Sequence, residues 1–463
     1  MKKPVSDKII SLFSAACALM LTLSACVSTT GEIAEEPTET AAPTASPVIT
    51  QIPLETAEPH EQKENVMGFT VNDEGTVLLA GKPFYGFGVN VFTLVTREVE
   101  TGTSDYKNQL DLLKECGIPF VRINLGGFWK SYYEQYDQDP AAMIAKIRKI
   151  VDYAEEKQIG LVCSLLWFNA AIPDHVGEKR AAFGDPESET VKYTKKYVAE
   201  IVNAFKDSPA VWAWEIGNEY NLDADLCDPN FKEWLPIGYE DPEKANGFDY
   251  YTSAEVQKYM AEVAGVIREN DPDRMISSGN SEMRPCSYAL HKAGLKVNTR
   301  THVWEVAWDM DSEADFTYMS SFMAPNPIDC VSFHLQLCGY NENGEAEYLR
   351  ALPRFGKPDV TPREYFEAYA RVAKKLKKAA FFGEFGDYLD LEADERTPEE
   401  FRELLSWITD AGIQIACSWQ FSANSLYVTT EGNDGRKLEL IRSANAGFQA
   451  AGKQDTSLYW SRC

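Results

Sequence analysis

Two carboxylates carry the clearest chemical signal in the sequence. Glu219 closes the run "WEIGNE" (residues 214–219), directly after Asn218, and Glu384 lies in "GEFG" (383–386), flanked by glycine and aromatic residues. Each follows a stretch apolar enough for a protein interior, where an unpaired charge is costly. At the ends of comparable stretches fall Asn90, Arg122, Asn124, Trp167, Asn169, Asn280, Glu282, His334 and Trp419. Carboxyls, amides, a guanidinium, an imidazole and indoles together suit the cleavage of a glycosidic bond. One carboxyl protonates the departing oxygen, and a second meets the anomeric carbon in its oxocarbenium-like transition state. Amides both donate to and accept from hydroxyls, and indole faces cover the C–H faces of sugar rings. Glu215 shares a strand face with Glu219 but sits deeper, which predicts a buried carboxylate in need of a cationic or amide partner, with Arg122 the candidate. The residues for other chemistries are missing: there is no HExxH, no Cys/His pair at zinc spacing and no Walker loop.

Such groups need a scaffold that gathers strand ends. From about Met67 the sequence alternates strand-like and helix-like segments. "FTVNDEGTVLLAGKPF" around Glu74-Gly75 reads as a small hairpin. Strands follow at 84–92, 120–125, 160–168, 211–218, 275–280, 328–335, 379–386 and 413–421. Helical spacing recurs between them at 106–117, 141–158, 188–205, 253–270, 311–323, 361–378 and 397–412, with a last helix at 436–451. Ser253 is a candidate cap, and Thr361-Pro362 and Thr397-Pro398 read as helix starts. Eight strand–helix repeats predict an α/β chain folded as a (β/α)8 TIM barrel with a small N-terminal β-hairpin, its active groups at the C-terminal strand ends. "YGFGVN" lacks the spacing of a dinucleotide-binding turn. Three connections are long, about 220–252, 284–327 and 336–360. Trp129, Trp234, Trp304 and Trp308 fall in connections, where outer sugar sites would be built.

The N-terminus reads differently. Lys2, Lys3 and Lys8 precede an apolar stretch from Ile9 to Leu23, too short for a comfortable membrane span. It ends in "LSAC" (23–26), which resembles a bacterial lipobox with Cys26 as the lipidated residue. Residues 27–64 are rich in Thr, Pro, Ala and Glu and read as a disordered tether. The expected division is a lipoprotein signal peptide (1–25), a linker (26–65) and a catalytic barrel (66–463). The protein would then be exported and held at the cell-surface membrane through lipid on Cys26. A net charge of −26 over 463 residues excludes nucleic acid as a partner. Of ten cysteines, Cys163, Cys330 and Cys417 fall inside predicted strands. They are expected as small buried hydrophobes rather than disulfide partners.

With these motifs in hand, the chain resembles the clan A retaining glycoside hydrolases, most closely family 5, the cellulase and β-mannanase family. "WEIGNE" and "GEFG" match its fourth- and seventh-strand signatures. "GKPFYGFGVN" (81–90), "VRINL" (121–125) and "VSFHLQ" (331–336) are similar to its first, second and sixth strands. The resemblance implies Glu219 as acid/base and Glu384 as nucleophile, and no metal or cofactor. Asn218 would bind the 2-hydroxyl of the sugar. Arg122 would orient the nucleophile, His334 would line the site and Trp419 would form the sugar platform; Asn90 and Trp167, at strand ends, are further substrate-binding candidates, as is Tyr340 in the loop after the sixth strand. Tyr220 stands where many members have Pro, and Gln336 stands where they have a Tyr that binds the nucleophile. An arginine near Glu384 predicts a lowered pKa there, and burial beside negative charge predicts a raised one at Glu219. The implied substrate is a β-linked polysaccharide or oligosaccharide, with endo-action on β-1,4-mannan favoured. The alternatives are a β-glucanase or cellulase, an exo-β-mannosidase, and a non-catalytic surface lipoprotein that captures polysaccharide.

Overall fold

The computed structural model describes residues 54–57, 67–127, 129–226, 249–298, 303–305, 309–340, 346–386, 398–421 and 432–463. Eight parallel strands form its centre: β1 (Gly86–Val91), β2 (Phe120–Asn124), β3 (Gly160–Leu166), β4 (Val211–Gly217), β5 (Met275–Ser277), β6 (Cys330–Gln336), β7 (Ala379–Gly386) and β8 (Ile415–Ser418). Their order is β6-β7-β8-β1-β2-β3-β4-β5. The seam between β5 and β6 is bridged by backbone hydrogen bonds from Asp329 to the Ile276 carbonyl (3.0 Å) and from Glu282 to the His334 carbonyl (3.1 Å). The sheet thus closes into the expected (β/α)8 barrel.

Helices pack around the strands because each presents an apolar stripe inward. Pro362–Lys375 shows the pattern: Tyr365, Phe366, Tyr369 and Val372 are buried. Tyr369 stacks on Phe333 of β6 at 3.9 Å between ring centroids. Thr361 and Glu364 close a capping box at its start. The helix Ser253–Asn270 is capped by Thr252 rather than Ser253, again with Glu255 completing the box. Among the described residues no helix is long and apolar enough to cross a membrane.

The N-terminal hairpin gains a third strand. Phe69–Val71, Val77–Leu79 and Lys82–Pro83 form one antiparallel sheet, and Phe69, Val77 and Leu79 are buried together with Phe84, Phe120, Trp212 and Tyr459. This piece plugs the barrel end opposite the C-terminal strand ends, since Phe120 and Trp212 lie at the starts of β2 and β4. Within the stretch expected to be a disordered linker, residues 54–57 lie against the barrel. Ala57 donates to the Leu376 carbonyl at 2.9 Å, and the Asn326 side chain donates to the Thr56 carbonyl at 2.9 Å. Cys26, Cys227, Trp234, His302 and Trp308 lie outside the described residues, as do the side chains of Trp304, Cys338 and Tyr340. The backbone of Tyr340 ends a short strand, Cys338–Tyr340.

Candidate active site

Arg122 is the hub of the barrel mouth. It projects inward from β2, fully buried, and its guanidinium is satisfied by side chains from four directions. Nε donates to Glu215 Oε1 at 2.7 Å, and a terminal nitrogen donates to Glu384 Oε1 at 2.6 Å. Asn90 Oδ1 accepts at 2.9 Å and Asn218 Oδ1 at 2.8 Å. The guanidinium also lies 4.7 Å from the ring centroid of Trp167. Burial opposes its charge, but Glu215 and Glu384 more than restore it and raise its pKa. The expected pairing of Glu215 with Arg122 is thus present, and Ser277 Oγ supplies a further hydrogen bond to Glu215 at 3.1 Å.

Arg122 stands where the orienting role expected of it requires, against Glu384, whereas Asn90, expected among the substrate-binding residues, turns its amide inward. Both side chains are 0% exposed. Asn90 spends its amide on the Gly383 and Ser418 carbonyls, at 2.9 and 3.3 Å, and on Arg122. The donors of both side chains are directed at protein acceptors, so both brace the site.

Glu219 stands just past the end of β4, with φ at 56°, a left-handed conformation that a non-glycine residue adopts only when its surroundings hold it there. Its amide donates to the Gly279 carbonyl at 2.8 Å. Gly279 itself has φ at 72°, and a Cβ there would lie 1.8 Å from the Gly217 carbonyl, so only glycine lets the β4 and β5 ends approach. His334, from β6, hydrogen-bonds Glu219 through Nδ1 at 3.0 Å and stands 3.7 Å from Glu384. Its ring lies over Gly383, where a Cβ would meet Nε2 at 2.5 Å. Oxygens of Glu219 and Glu384 and a ring nitrogen of His334 all lie within 4.8 Å of one another. Retaining glycosidases hold their carboxyls ~5–5.5 Å apart and inverting ones ~6.5–9.5 Å, so the arrangement fits the former. The same trio has the spacing of a metal site, but Arg122, 2.6 Å from Glu384, already supplies the positive charge and would repel an ion.

The titration order is the reverse of the expected one. Burial pushes Glu384 up to about 7, against the opposing pull of His334 and Arg122. Burial also raises Glu219, but the hydrogen bond and charge of His334, a hydrogen bond with Ser281 and the charge of Arg122 bring it below the ordinary glutamate value. The physical reason is that Glu384 is the more enclosed, 6% exposed against 23% for Glu219. It also shares Arg122 with Glu215. Carboxyls this close titrate as a pair, and the pair holds one proton until the pH rises through about 7.

Aromatic rings wall one side. Trp167 and Trp419 stack at 6.1 Å and 29°, and Phe92 packs against both at 5.1 and 6.3 Å. Trp167 is buried, whereas Trp419 and Phe92 keep partly exposed surface. Gln336 is 7% exposed, and its Oε1 is buried beside Gly386. Tyr220 turns away from the site. Its hydroxyl donates to the Leu166 carbonyl at 2.9 Å, and its ring stacks on Phe183 and Tyr259. It therefore ties the β4 end to the β3 end. Glu282 pairs with Arg354 at 2.6 Å, Asn280 donates to the Met323 carbonyl, and Asn169 to the Tyr251 hydroxyl. Trp129 is half-buried. Phe92, Gly279 and Ser281 are site residues that sequence reasoning missed. Phe92 directly follows the first-strand motif, and "SSGNSE" (277–282) packs small residues at a strand end; both were available as signals.

Residues 78–425 match the family described as cellulase (glycosyl hydrolase family 5). The chain is 20% identical over 391 residues, 78% of its own length, to mannan endo-1,4-beta-mannosidase F of Aspergillus clavatus, covering 74% of that protein. Among solved structures, an endo-beta-1,4-mannanase from Thermotoga petrophila superposes with a TM-score of 0.53 at 15% identity, covering 81% of this chain and 79% of that one. The exo-beta-1,4-mannosidase Op5Man5 from Opitutaceae bacterium strain TAV5 superposes at 0.52 with 18% identity, covering 83% and 63%.

Proposed function

The chain belongs to the cellulase family, glycosyl hydrolase family 5, and from that premise we propose that it is a retaining endo-β-1,4-mannanase. It is a glycoside hydrolase. The observation that carries the retaining mechanism is the meeting of the Glu219 and Glu384 carboxyls with His334 within 4.8 Å. The mannan preference draws on the similarity to mannan endo-1,4-beta-mannosidases.

In the proposed reaction, a Glu384 oxygen attacks the anomeric carbon from one face of the sugar. The glycosidic C–O bond breaks, and its electron pair goes to the departing oxygen, which takes the Glu219 proton. Glu219, now a base, removes a proton from water. The water oxygen displaces Glu384 and releases the sugar with its configuration retained. Arg122 keeps Glu384 aimed. Asn218 has its amide nitrogen free of Arg122 and can meet the 2-hydroxyl, while Trp419, with Trp167 behind it, supplies the platform. His334 lines the acid/base side. The first step needs the pair's one proton on Glu219 and Glu384 ionised.

The test is digestion of β-1,4-mannan, cellulose and xylan by the purified protein, followed by NMR of the newly formed anomer. Internal chain cuts in mannan with the β-anomer formed first are expected. Mannose released singly from chain ends would transfer the assignment to exo-action. Sugar binding without new reducing ends on any of the three would overturn the enzyme and favour polysaccharide capture.

The N-terminal part of the proposal is export, cleavage before Cys26, and lipid on that cysteine holding the enzyme at the cell surface. The support is the "LSAC" motif after a basic and then apolar stretch. Cys26→Ser is expected to move the protein from the detergent phase to the aqueous phase on partitioning; unchanged partitioning would remove the anchor.

A further inference from the structure

Glu215 is a carboxylate of the barrel interior that the proposed reaction does not use, and its surroundings are specific. It is 0% exposed, and its Oε1 receives both Nε of Arg122, at 2.7 Å, and a terminal nitrogen at 2.6 Å. Ser277 Oγ donates to Oε2 at 3.1 Å. The other end of the same guanidinium serves Glu384 at 2.6 Å. One cation is therefore divided between two carboxylates, one below it and one at the cleft. Two of the three guanidinium nitrogens, Nε and one terminal nitrogen, are held by the lower carboxylate, which leaves the other terminal nitrogen aimed at Glu384 and Asn90.

We propose that Glu215 is a positioning residue, which holds the Arg122 fork in register and draws off part of its charge, so setting how much positive potential reaches Glu384. This rests on Glu384 being the nucleophile. The charged and titratable groups around the pair come from every neighbouring strand. Glu384 faces Arg122 from β2, His334 from β6 and Glu219 beyond β4. Cys417 of β8 lies within electrostatic reach of Arg122, Glu215 and Glu384. Glu215 in turn lies near Cys163 of β3 and Cys330 of β6. Burial pushes all three thiols above their ordinary value, so they stay neutral across the working range and leave Glu215 as the competitor for Arg122.

Two variants give effects of opposite sign. Glu215→Gln keeps a hydrogen-bonding group below Arg122 but removes the competing charge, so Glu384 should titrate about one pH unit lower. Ser277→Ala removes a hydrogen bond that steadies Glu215; Glu215 then leans harder on Arg122, and Glu384 should titrate higher by a few tenths of a pH unit. The readout is carbon NMR of side-chain-labelled glutamate, with the Glu384 signal identified by its loss in Glu384→Gln. The alkaline limb of the pH–rate profile on mannan should move with it. A titration of Glu384 unchanged in both variants, with only the melting temperature lowered, would reduce Glu215 to a structural role and overturn the proposal. If Glu215→Gln does not fold, the Ser277→Ala shift decides alone: no upward movement overturns it. NMR titration needs no turnover, so a protein whose Glu384 responds as described but which cuts no polysaccharide would fail the proposed function and keep this inference.

Discussion

At the scale of single residues, the two carboxyls are asked for different work and the substitutions that separate them differ accordingly. Glu384→Gln removes the attacking group and should leave less than about a thousandth of wild-type turnover on mannan. Glu219→Gln should cost ~10²–10⁴-fold on mannan but far less on an aryl glycoside, whose leaving group needs no proton; equal losses on both substrates would assign the roles wrongly. The pH dependence follows from the shared proton. The pair loses it as the pH passes about 7, so kcat/KM should fall about tenfold per unit above that point. Because Glu219 is held below the ordinary value, the acid limb should lie below pH 4.5. Stability should carry the same signature. With a folded-state pKa above the unfolded one, Glu384 binds more protons in the native state between about 4.5 and 7, and stability falls as pH rises through that window. The melting temperature of Glu384→Gln relative to wild type should therefore rise across the same window and level off above it. A difference that stays flat with pH would show that Glu384 is an ordinary carboxylate.

At the scale of elements, Glu219 is placed by backbone more than by side chains. The ends of β4 and β5 approach through Gly279, whose carbonyl receives the Glu219 amide. Gly279→Ala should therefore cost about 2 kcal/mol or more and depress activity beyond what its melting curve explains, because it displaces Glu219. Tyr220→Phe loses one buried hydrogen bond to Leu166 and should cost about 1 kcal/mol, with activity largely kept; a large activity loss would put Tyr220 in the chemistry. These two positions also show how far the sequence could be read. The strands were legible as apolar runs with polar ends, and β7 falls at Ala379–Gly386, as expected. Glu219, Glu384 and the Glu215–Arg122 pair followed from alternation and motif. The bracing role of Asn90 was not legible, because it depends on which neighbouring carbonyls lie within reach after the barrel closes. The third N-terminal strand was missed because Lys82–Pro83 is two exposed residues with no apolar alternation. The titration order of the carboxyls was beyond sequence, since it turns on the difference between 6% and 23% exposure and on one cation divided between two acids.

At the scale of the whole molecule, the barrel separates stability from chemistry along its axis. The mouth is polar, built from groups that cost stability unless each finds its partner. The opposite end is aromatic: Trp212 is fully buried, with ring centroids of Phe69, Phe84, Tyr459, Trp460 and Phe120 at 4.9, 5.7, 5.5, 6.1 and 6.2 Å. Residues of the N-terminal sheet, of β2, of β4 and of the C-terminal helix Thr456–Trp460 therefore meet on one ring. Trp212→Ala should cost ~3–5 kcal/mol, the scale of a large aromatic lost from a core, and should lower the denaturant midpoint without changing the denaturant dependence. Trp212 and Glu219 belong to the same strand and its continuation, seven residues apart, so the variant also asks whether strain at the plug reaches the mouth. Interiors this densely packed transmit strain only where two arrangements of comparable energy exist. The Glu219 turn is pinned separately by Gly279, His334 and Tyr220, which argues for one arrangement. The expected outcome is a less stable protein whose pH–rate limb and KM match wild type below its melting transition. A shifted limb at intact fold would mean that the aromatic plug helps set the spacing of the two carboxyls.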